Sequence, residues 1–453
     1  MQSDAPWFRL EEVVDDILDR RGVTPLKLGG DFTSSGHRVI SAKVVKCGRI
    51  QLDADEPRYI STSIYQKWMR TPLCQGDVIM TSEAPLGELA FLGQDVDWVL
   101  GQRLFAIRPK AGRLYGRFLY YVLQTESVRA DMLGRASGTT VQGIRQSELR
   151  RVRVPLPKFE TQVQVADFLG ALDDRIDVLR QTNATLEAIS QALFKSWFID
   201  FEPVRAKSEG REPEGMDAAM AALFPAEFEE STVGMVPKGW THSNLGVVCA
   251  AAGGAIQTGP FGSQLHASDY VDEGIPVVMP QDMRDRRVSE ARIARVSQAD
   301  ADRLARHKLS VGDIVFSRRG DVGRHATVSE REVGWLCGTG CLLVRPGAKA
   351  PSPAFLSQAL AHSASIEWLQ RHAVGATMPN LNTGILEALP LLNPADAVLN
   401  AFEDVVGPLE NRITLNHSHA SSLGAIRDQL LPRLVSGNLS LPDAQERLEG
   451  ATT

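Results

Sequence analysis

The 453 residues, 43% hydrophobic and 23% charged, have the composition of an ordinary soluble protein and length for about three domains. No stretch approaches the ~18 to 20 apolar residues of a membrane span, Met1 to Asp15 is acidic and lacks the apolar run of a signal peptide, and five cysteines are few and odd in number. A cytosolic chain without membrane contact or a disulfide framework is expected, and the formal net charge of −6 argues at first against a nucleic-acid partner.

From Pro6 to Pro157 the chain is mixed and strand-rich. Short apolar runs such as His37–Ile40, Val78–Met80, Leu89–Leu92 and Leu104–Ile107 are separated by Gly, Pro and Asp turn signals. Leu114 to Leu133 has helical spacing, and Val152–Pro157 closes a compact α+β domain on an extended X-Pro segment. From Gln162 to Trp197, Val165, Leu169, Leu172, Ile176, Leu179, Leu186, Leu193 and Trp197 fall on one seam, interrupted by Asn183 and Ser190. This is the narrow stripe of a coiled coil, which needs a partner. A polar, acidic connection rich in Pro and Gly follows from Glu202 to about Lys238, with one short helix at Met216–Leu223.

Trp240 opens a second block that repeats the first. Gly76-Asp77-Val78-Ile79 answers to Gly312-Asp313-Ile314-Val315, Trp98 to Trp335, Gly101 to Gly338, Ile107-Arg108-Pro109 to Val344-Arg345-Pro346, and Gly138-Thr139-Thr140 to Gly375-Ala376-Thr377. From Trp98 onward the shift is a constant 237 positions, whereas before Gly76 the halves match poorly. The constant part is expected to be framework and the variable part to carry recognition. The seam itself returns as Phe402, Val406, Leu409, Ile413, Asn416, Ala420, Leu423, Arg427, Leu430 and Leu434, so the two helices are each other's nearest partners. Pro408 inside the second copy predicts a kink or a late start there. Trp98 and Trp335 are expected in the core, as are the thiols of Cys337 and Cys341, which have no second ligand pair at metal spacing.

The charge is segregated. Eleven Lys/Arg lie between Arg103 and Arg153 against Glu126, Asp131 and Glu148, and a second, more mixed cluster runs from Asp282 to Arg324. Basic patches on an acidic background suit a polyanion at defined faces.

The order domain, long helix, domain, long helix resembles the specificity subunit of type I restriction-modification enzymes. Local motifs resemble it too: Val154-Pro155-Leu156-Pro157 entering the first helix with Gln162, Asp173 and Ile176; Asp200-Phe201-Glu202-Pro203-Val204-Arg205-Ala206-Lys207 leaving it; Leu223-Phe224-Pro225 before Gly234-Met235-Val236-Pro237-Lys238-Gly239-Trp240; and Leu430-Leu431-Pro432-Arg433-Leu434-Val435-Ser436-Gly437 near the end. The resemblance implies an α+β fold of two target-recognition domains, 1–157 and 239–394, joined by antiparallel coiled-coil helices, 158–201 and 395–437, with a linker at 202–238 and a tail at 438–453. Each domain would read one half of a split double-stranded DNA site. The helices would dock two methyltransferase subunits, joined by a restriction motor subunit, and S-adenosylmethionine, ATP and Mg would belong to those partners. The chain itself would bind no cofactor and catalyse nothing. Consistently, it has no Asn/Asp-Pro-Pro-aromatic methylation motif, Walker A loop or metal constellation.

Candidate DNA contacts in the second domain are Gln257, Thr258, Gly259, Phe261 and Ser263 in a Gly-rich loop, then Gln281, Asp282 and Arg284 with Arg286 and Arg287, and Ser317, Arg318, Arg319 and Arg324 as phosphate ligands. In the first domain they are Thr33, Ser34, Ser35, His37, Arg38 and Lys43, with Thr139, Thr140 and Gln142. The last loop recurs at Thr377 and Asn380, where a framework role is an equal reading. Plain turns and solvated charged loops are the competing readings elsewhere, and a coiled-coil scaffold that binds only proteins is the competing function. Finally, full antiparallel overlap of the seams pairs residues whose numbers add to 599, as Asn183 and Asn416 do, so these amides are expected to meet and fix the helix register.

Overall fold

The computed structural model describes residues 5–138, 141–231, 234–290, 292–350, 352–375 and 377–452, with 449–452 described by backbone alone. The chain divides into two compact units, residues 1–179 with 419–453 and residues 180–418, so each unit combines one α+β domain with portions of both long helices.

In the first unit an antiparallel sheet runs in the order Val14–Asp19, Leu104–Pro109, Val78–Thr81, Leu89–Phe91. Its strands read as continuous apolar runs because both faces are covered. Val78, Met80, Phe105 and Ile107 pack against the helix Gly116–Val122 and the long helices, while Ile79, Ala90, Leu104 and Ala106 enter a second core with Ile40, Val99 and Leu100. That second core lies against a small sheet in which His37–Ile40 runs antiparallel to Tyr59–Ile60 and parallel to Val99–Leu100.

The second unit repeats this topology. Its larger sheet runs Ala255–Thr258, Cys341–Arg345, Ile314–Ser317, His325–Thr327, and Ile275–Val278 pairs antiparallel with Ala294–Val296 and parallel with Leu336–Cys337. The agreement includes the stretch before Gly76, where the sequences match poorly. Both domains there build a tight hairpin, Val45–Lys46 with Arg49–Ile50 and Met283–Arg284 with Arg287–Val288, whose central residues all have positive φ: Cys47 (52°) and Gly48 (81°), Asp285 (50°) and Arg286 (57°). The variable part therefore keeps one framework, and poor matching does not by itself mark recognition.

The repeated Gly-Asp and Arg-Pro motifs are two ends of one interaction. Arg108 grips buried Asp77 with Nε at 2.8 Å and Nη2 at 2.7 Å, and Arg345 grips buried Asp313 at 3.0 and 2.7 Å. Backbone N–H groups of Cys74 and Ser310 donate to the same carboxylates, so these buried charges are paired and hydrogen-bonded, as burial requires. Trp98 and Trp335 are only half-buried and lean on their cores from the rim, whereas Cys249, Cys337 and Cys341 are buried thiols.

The first long helix spans Phe159–Phe194 and continues as a π-helical turn, Lys195–Ile199; the second spans Asp396–Val435 without a break. Pro408 thus neither starts nor ends the second helix. It lies on the exposed side, and burial of Phe402, Val406 and Ile413 on the other side holds the helix through it.

The helices run antiparallel within each unit. In the first, Val165, Ala166 and Leu169 share a core with Leu430 and Leu434, and Leu172, Ile176 and Leu179 pack with Leu423. In the second, the Trp197 ring meets Phe402 edge-on at 5.5 Å, and Asn416 Nδ2 donates to Asn183 Oδ1 at 2.9 Å. Asn183 Nδ2 donates in turn to the carbonyl of Ile413 at 3.2 Å. Both pairs keep the 599 register.

The connection 202–238 forms the short helix expected near Met216–Leu223, at Ala218–Ala222, and adds a helix, Glu202–Ser208, and a hairpin; Val204 and Phe224 are buried in an aromatic cluster with Trp197, Phe198 and Trp240. The tail after Gly437 forms a helix, Leu441–Thr452, and Leu439 and Ala444 enter the first unit's core. Their apolar residues were too widely spaced among polar ones to show as a face.

The amide pair gives a double-mutant test. Asn416→Leu alone leaves the half-buried Asn183 Oδ1 without its donor and should destabilise the second unit by ~1 to 3 kcal/mol, whereas adding Asn183→Leu should recover much of the loss. Urea titrations of the four proteins read the coupling; strictly additive losses would show that the amides act independently.

Candidate nucleic-acid interface

Backbone hydrogen bonds join four loops at one end of the second domain's larger sheet. Gly259 N–H donates to the Cys341 carbonyl at 2.9 Å, Arg318 to Gly340 at 2.9 Å, Gly320 to Pro379 at 3.0 Å, and Leu381 back to Arg318 at 2.9 Å. The Val374–Asn380 loop is closed on itself by reciprocal bonds between its end residues, 3.0 and 2.9 Å, with Gly375 at φ 109°. A fifth segment joins through the Arg324 guanidinium, which donates to the Pro280 carbonyl at 3.3 Å.

This cluster exposes Phe261, Ser263, Gln281, Arg319, Arg324 and Thr377, while Arg284, also exposed, lies on the hairpin. Arg318 is half-buried with an unpartnered Nε, Thr258 is half-buried, and Arg324 is braced by Asp321 at 3.1 Å. Asn380 serves the loop closure through its backbone, with its Oδ1 buried and unpartnered.

Several candidates do not face a ligand. Ser317 is buried and donates to the Arg319 carbonyl; Asp282 is buried and accepts from Met279 N–H, burial pushing its carboxyl up. Gly259 is needed for chain packing, since a Cβ there would lie 1.9 Å from the Gly338 carbonyl oxygen. Gln257 donates to the Arg306 carbonyl at 2.7 Å. Arg286 and Arg287 turn inward. Arg286 binds Glu187, Glu410 at 3.1 Å and Ser357 at 2.7 Å, while Arg287 reaches Glu410 at 2.5 Å. Burial would raise the Glu410 carboxyl, but the two guanidiniums hold it below the usual range. These arginines fasten the hairpin to the helices.

The first domain builds the same loop cluster. Ser82 N–H donates to Arg103 at 2.8 Å, Ile144 to Ser82 at 3.0 Å, and Ser137 and Gly143 close their loop at 2.9 Å in both directions. Its turn lacks net positive charge, because Glu83 takes the place of an arginine and pairs with Arg103 at 3.0 Å. The arginines gather elsewhere: Arg9, Arg135, Arg151 and Arg153 line a cleft of about 550 Å³ with Trp7 and Glu12. Gln142, Ser34 and Ser35 are exposed, and Thr33 donates to the Ser35 carbonyl. Thr139 and Thr140 lie outside the described residues. Three other candidates are engaged internally. His37 stacks on Tyr65 at 4.0 Å, Arg38 holds the carbonyls of Leu52 and Asp55, and Lys43 pairs with Asp55 at 3.2 Å.

Two residues escaped the sequence reading. Val141 and Met378 sit on the closed loops, 237 positions apart, and are 51% and 62% exposed. A search for polar readers passes over them, although two apolar residues at one repeat position in polar loops are a legible signal.

No group of His, Cys, Asp and Glu suited to a metal occurs among the described residues, and none of their helices is long and apolar enough to cross a membrane. Residues 8–188 match the family model described as the type I restriction modification DNA specificity domain. The chain is similar to type I restriction-modification specificity subunits. It is 26% identical over 408 residues to the type I restriction enzyme HindI specificity subunit of Haemophilus influenzae, covering 81% of this chain and 87% of that one. The MjaIX specificity subunit of Methanocaldococcus jannaschii is 25% identical over 82% of this chain and 79% of its own length. In fold, the crystal structure of the S subunit from M. genitalium aligns with a TM-score of 0.57 at 16% identity, covering 96% of this chain and 97% of that one. These relatives are specificity subunits, a non-catalytic role.

At the root of the arginine turn, His325 stacks on Phe316 at 4.9 Å with Nδ1 donating to the Gly323 carbonyl at 3.0 Å, and burial pushes the imidazole from 6.5 down to about 4. The folded chain therefore refuses a proton that the unfolded chain accepts, so this group's contribution is complete above pH 6.5 and is lost as pH falls toward 4. His325→Phe should flatten the decline in the second unit's stability between those values, which denaturation at a series of pH values measures; an identical decline in both proteins would refute it.

Proposed function

We propose that this chain is the DNA-reading subunit of a type I restriction-modification complex, each α+β domain reading one half of a split duplex site. The observation that carries this reading is the presence in both domains of one backbone-stitched loop cluster, with Arg319 and Arg324 exposed on the turn of one. Guanidiniums on glycine-rich turns suit phosphate oxygens, which position a protein on duplex DNA, while neighbouring side chains read base edges. Chemistry belongs to partners in this proposal: two methyltransferase subunits using S-adenosylmethionine, and a motor-nuclease subunit using ATP and Mg. A scaffold that binds only proteins would leave the exposed arginine turn without a use.

Domain exchange gives the direct test. Replacing residues Trp240 to Pro390 with the corresponding domain of a relative, in cells supplying the methyltransferase, should change one half of the methylated adenine motif and leave the other intact. Sequencing the methylated adenines reads this, and a change in both halves would sink the two-reader assignment. The phosphate role has its own signature. Arg318→Ala with Arg319→Ala should weaken binding to all duplexes and flatten the dependence of log affinity on log salt by about one unit per lost contact. An unchanged slope would remove both residues from the interface.

A further inference from the structure

The repeat brings an apolar side chain to the same place in both domains. Val141 lies between Gly138 and Gly143, and Met378 between Gly375 and Asn380, in loops otherwise composed largely of small and polar residues. Both loops are closed by reciprocal backbone bonds between their ends, Ser137 with Gly143 and Val374 with Asn380. Both also fold tightly behind the apolar residue. A Cβ on Gly138 (φ 114°) would lie 2.1 Å from the Val141 carbonyl oxygen, and one on Gly375 (φ 109°) 2.8 Å from that of Met378. Neither residue belongs to a core, at 51% and 62% exposed. The loops are fixed to the neighbouring turns by Ile144 to Ser82, 3.0 Å, and by Leu381 to Arg318 and Gly320 to Pro379, 2.9 and 3.0 Å.

A closed loop that holds an apolar group in water loses free energy by exposure and recovers it only when something apolar covers it. Phosphates offer no such surface. Bases do, through thymine methyl groups and the faces of base pairs. We propose that Val141 and Met378 are specificity-determining residues, each making an apolar contact to a base of the half-site read by its own domain. The proposal rests on the DNA-reading function above. The division of labour follows from the two chemistries. In the second domain the turn arginines hold the backbone regardless of sequence, and in both domains the apolar tips discriminate.

The test uses the full chain with its methyltransferase partner, a duplex carrying the motif found by sequencing methylated adenines, and a scrambled duplex of equal length. Met378→Ala should weaken binding to the motif roughly tenfold, while binding to the scrambled duplex and the salt slope stay at wild-type values. The methylated motif should relax in one half only, and Val141→Ala should relax the other half. Met378→Leu, which keeps an apolar tip, should retain most of the motif affinity. As both residues are exposed, thermal unfolding should not move. Equal weakening on both duplexes, unchanged motif affinity, or relaxation of both halves by one substitution would each overturn the proposal. A wild-type complex that does not prefer its motif over the scrambled duplex would instead overturn the DNA-reading function on which it rests.

Discussion

The apolar seam on the two long helices is the constraint from which the rest of the architecture follows. A stripe one or two side chains wide cannot be hidden by the helix that carries it, and most helical stability comes from such packing rather than from propensity. Within each unit the seam is covered by the other helix and then by the domain. In the first unit Leu430, Leu434 and Leu439 join the core that also holds Phe105 and Phe118. In the second, Trp197 and Phe402 join Phe198, Phe224, Trp240 and Phe355. Charge fastens the outer edge of each packing. Asp173 accepts from Arg427 and from Tyr121, at 2.5 Å each, and Asp177 pairs with Arg49 at 3.1 Å. Glu187 and Glu410 receive Arg286 and Arg287 in the second unit. These carboxylates stand where the acidic background of the chain meets its basic residues, so part of the arginine content that suggests nucleic acid is structural.

The repeat shows how one framework tolerates opposite local solutions. Gly48 and Arg286 occupy the same turn position, and Tyr120 and Ser357 the same helix position, one shifted by 238 residues and the other by 237. Gly48 leaves room for the Tyr120 hydroxyl, since a Cβ there would lie 2.3 Å from it. In the second domain the long side chain belongs to Arg286 and the short one to Ser357, which accepts its hydrogen bond at 2.7 Å. Volume is conserved across the pair although neither position is. Arg286 accepts a left-handed conformation that suits glycine better, and its three polar partners offset that strain.

Much of this was legible in the sequence, and the failures have a common cause. Periodicity placed both helices, and the polar breaks at Asn183 and Asn416 fixed their register, because a seam has only one partner and an amide in it has few alternatives. The repeated Gly-Asp and Arg-Pro motifs were visible but carried no role until Arg108 and Arg345 were seen to grip Asp77 and Asp313. Residue type was a poor guide to the interface. Ser317, Asp282, Arg38 and Gln257 are the polar types that read DNA, and they are also the types that satisfy backbone groups in tight turns. Spacing cannot tell an Asp capping Met279 from one facing solvent, as that depends on which strand lies behind the turn. The packing of the tail and connection was not legible because their buried residues, Phe224, Leu439 and Ala444, are few, and each packs on a core supplied by distant sequence.

That the same loops are tied to the framework by backbone atoms has a consequence for specificity. In both domains the closed loop and the neighbouring turn meet through N–H and C=O groups, which every residue but proline supplies alike. Side chains at Val141, Met378 and Arg319 make no contribution to that stitching. A change there alters what the cluster presents without disturbing what holds it. The core below, with Phe316 and His325 stacked under one turn and Met132 under the other, limits where the loops sit. The two domains already differ in this way, one with exposed arginines on its turn and the other with a neutralised turn and an arginine-lined cleft. Recognition can therefore differ between halves of one chain while a single topology, a single buried ion pair and a single helix register are kept in both.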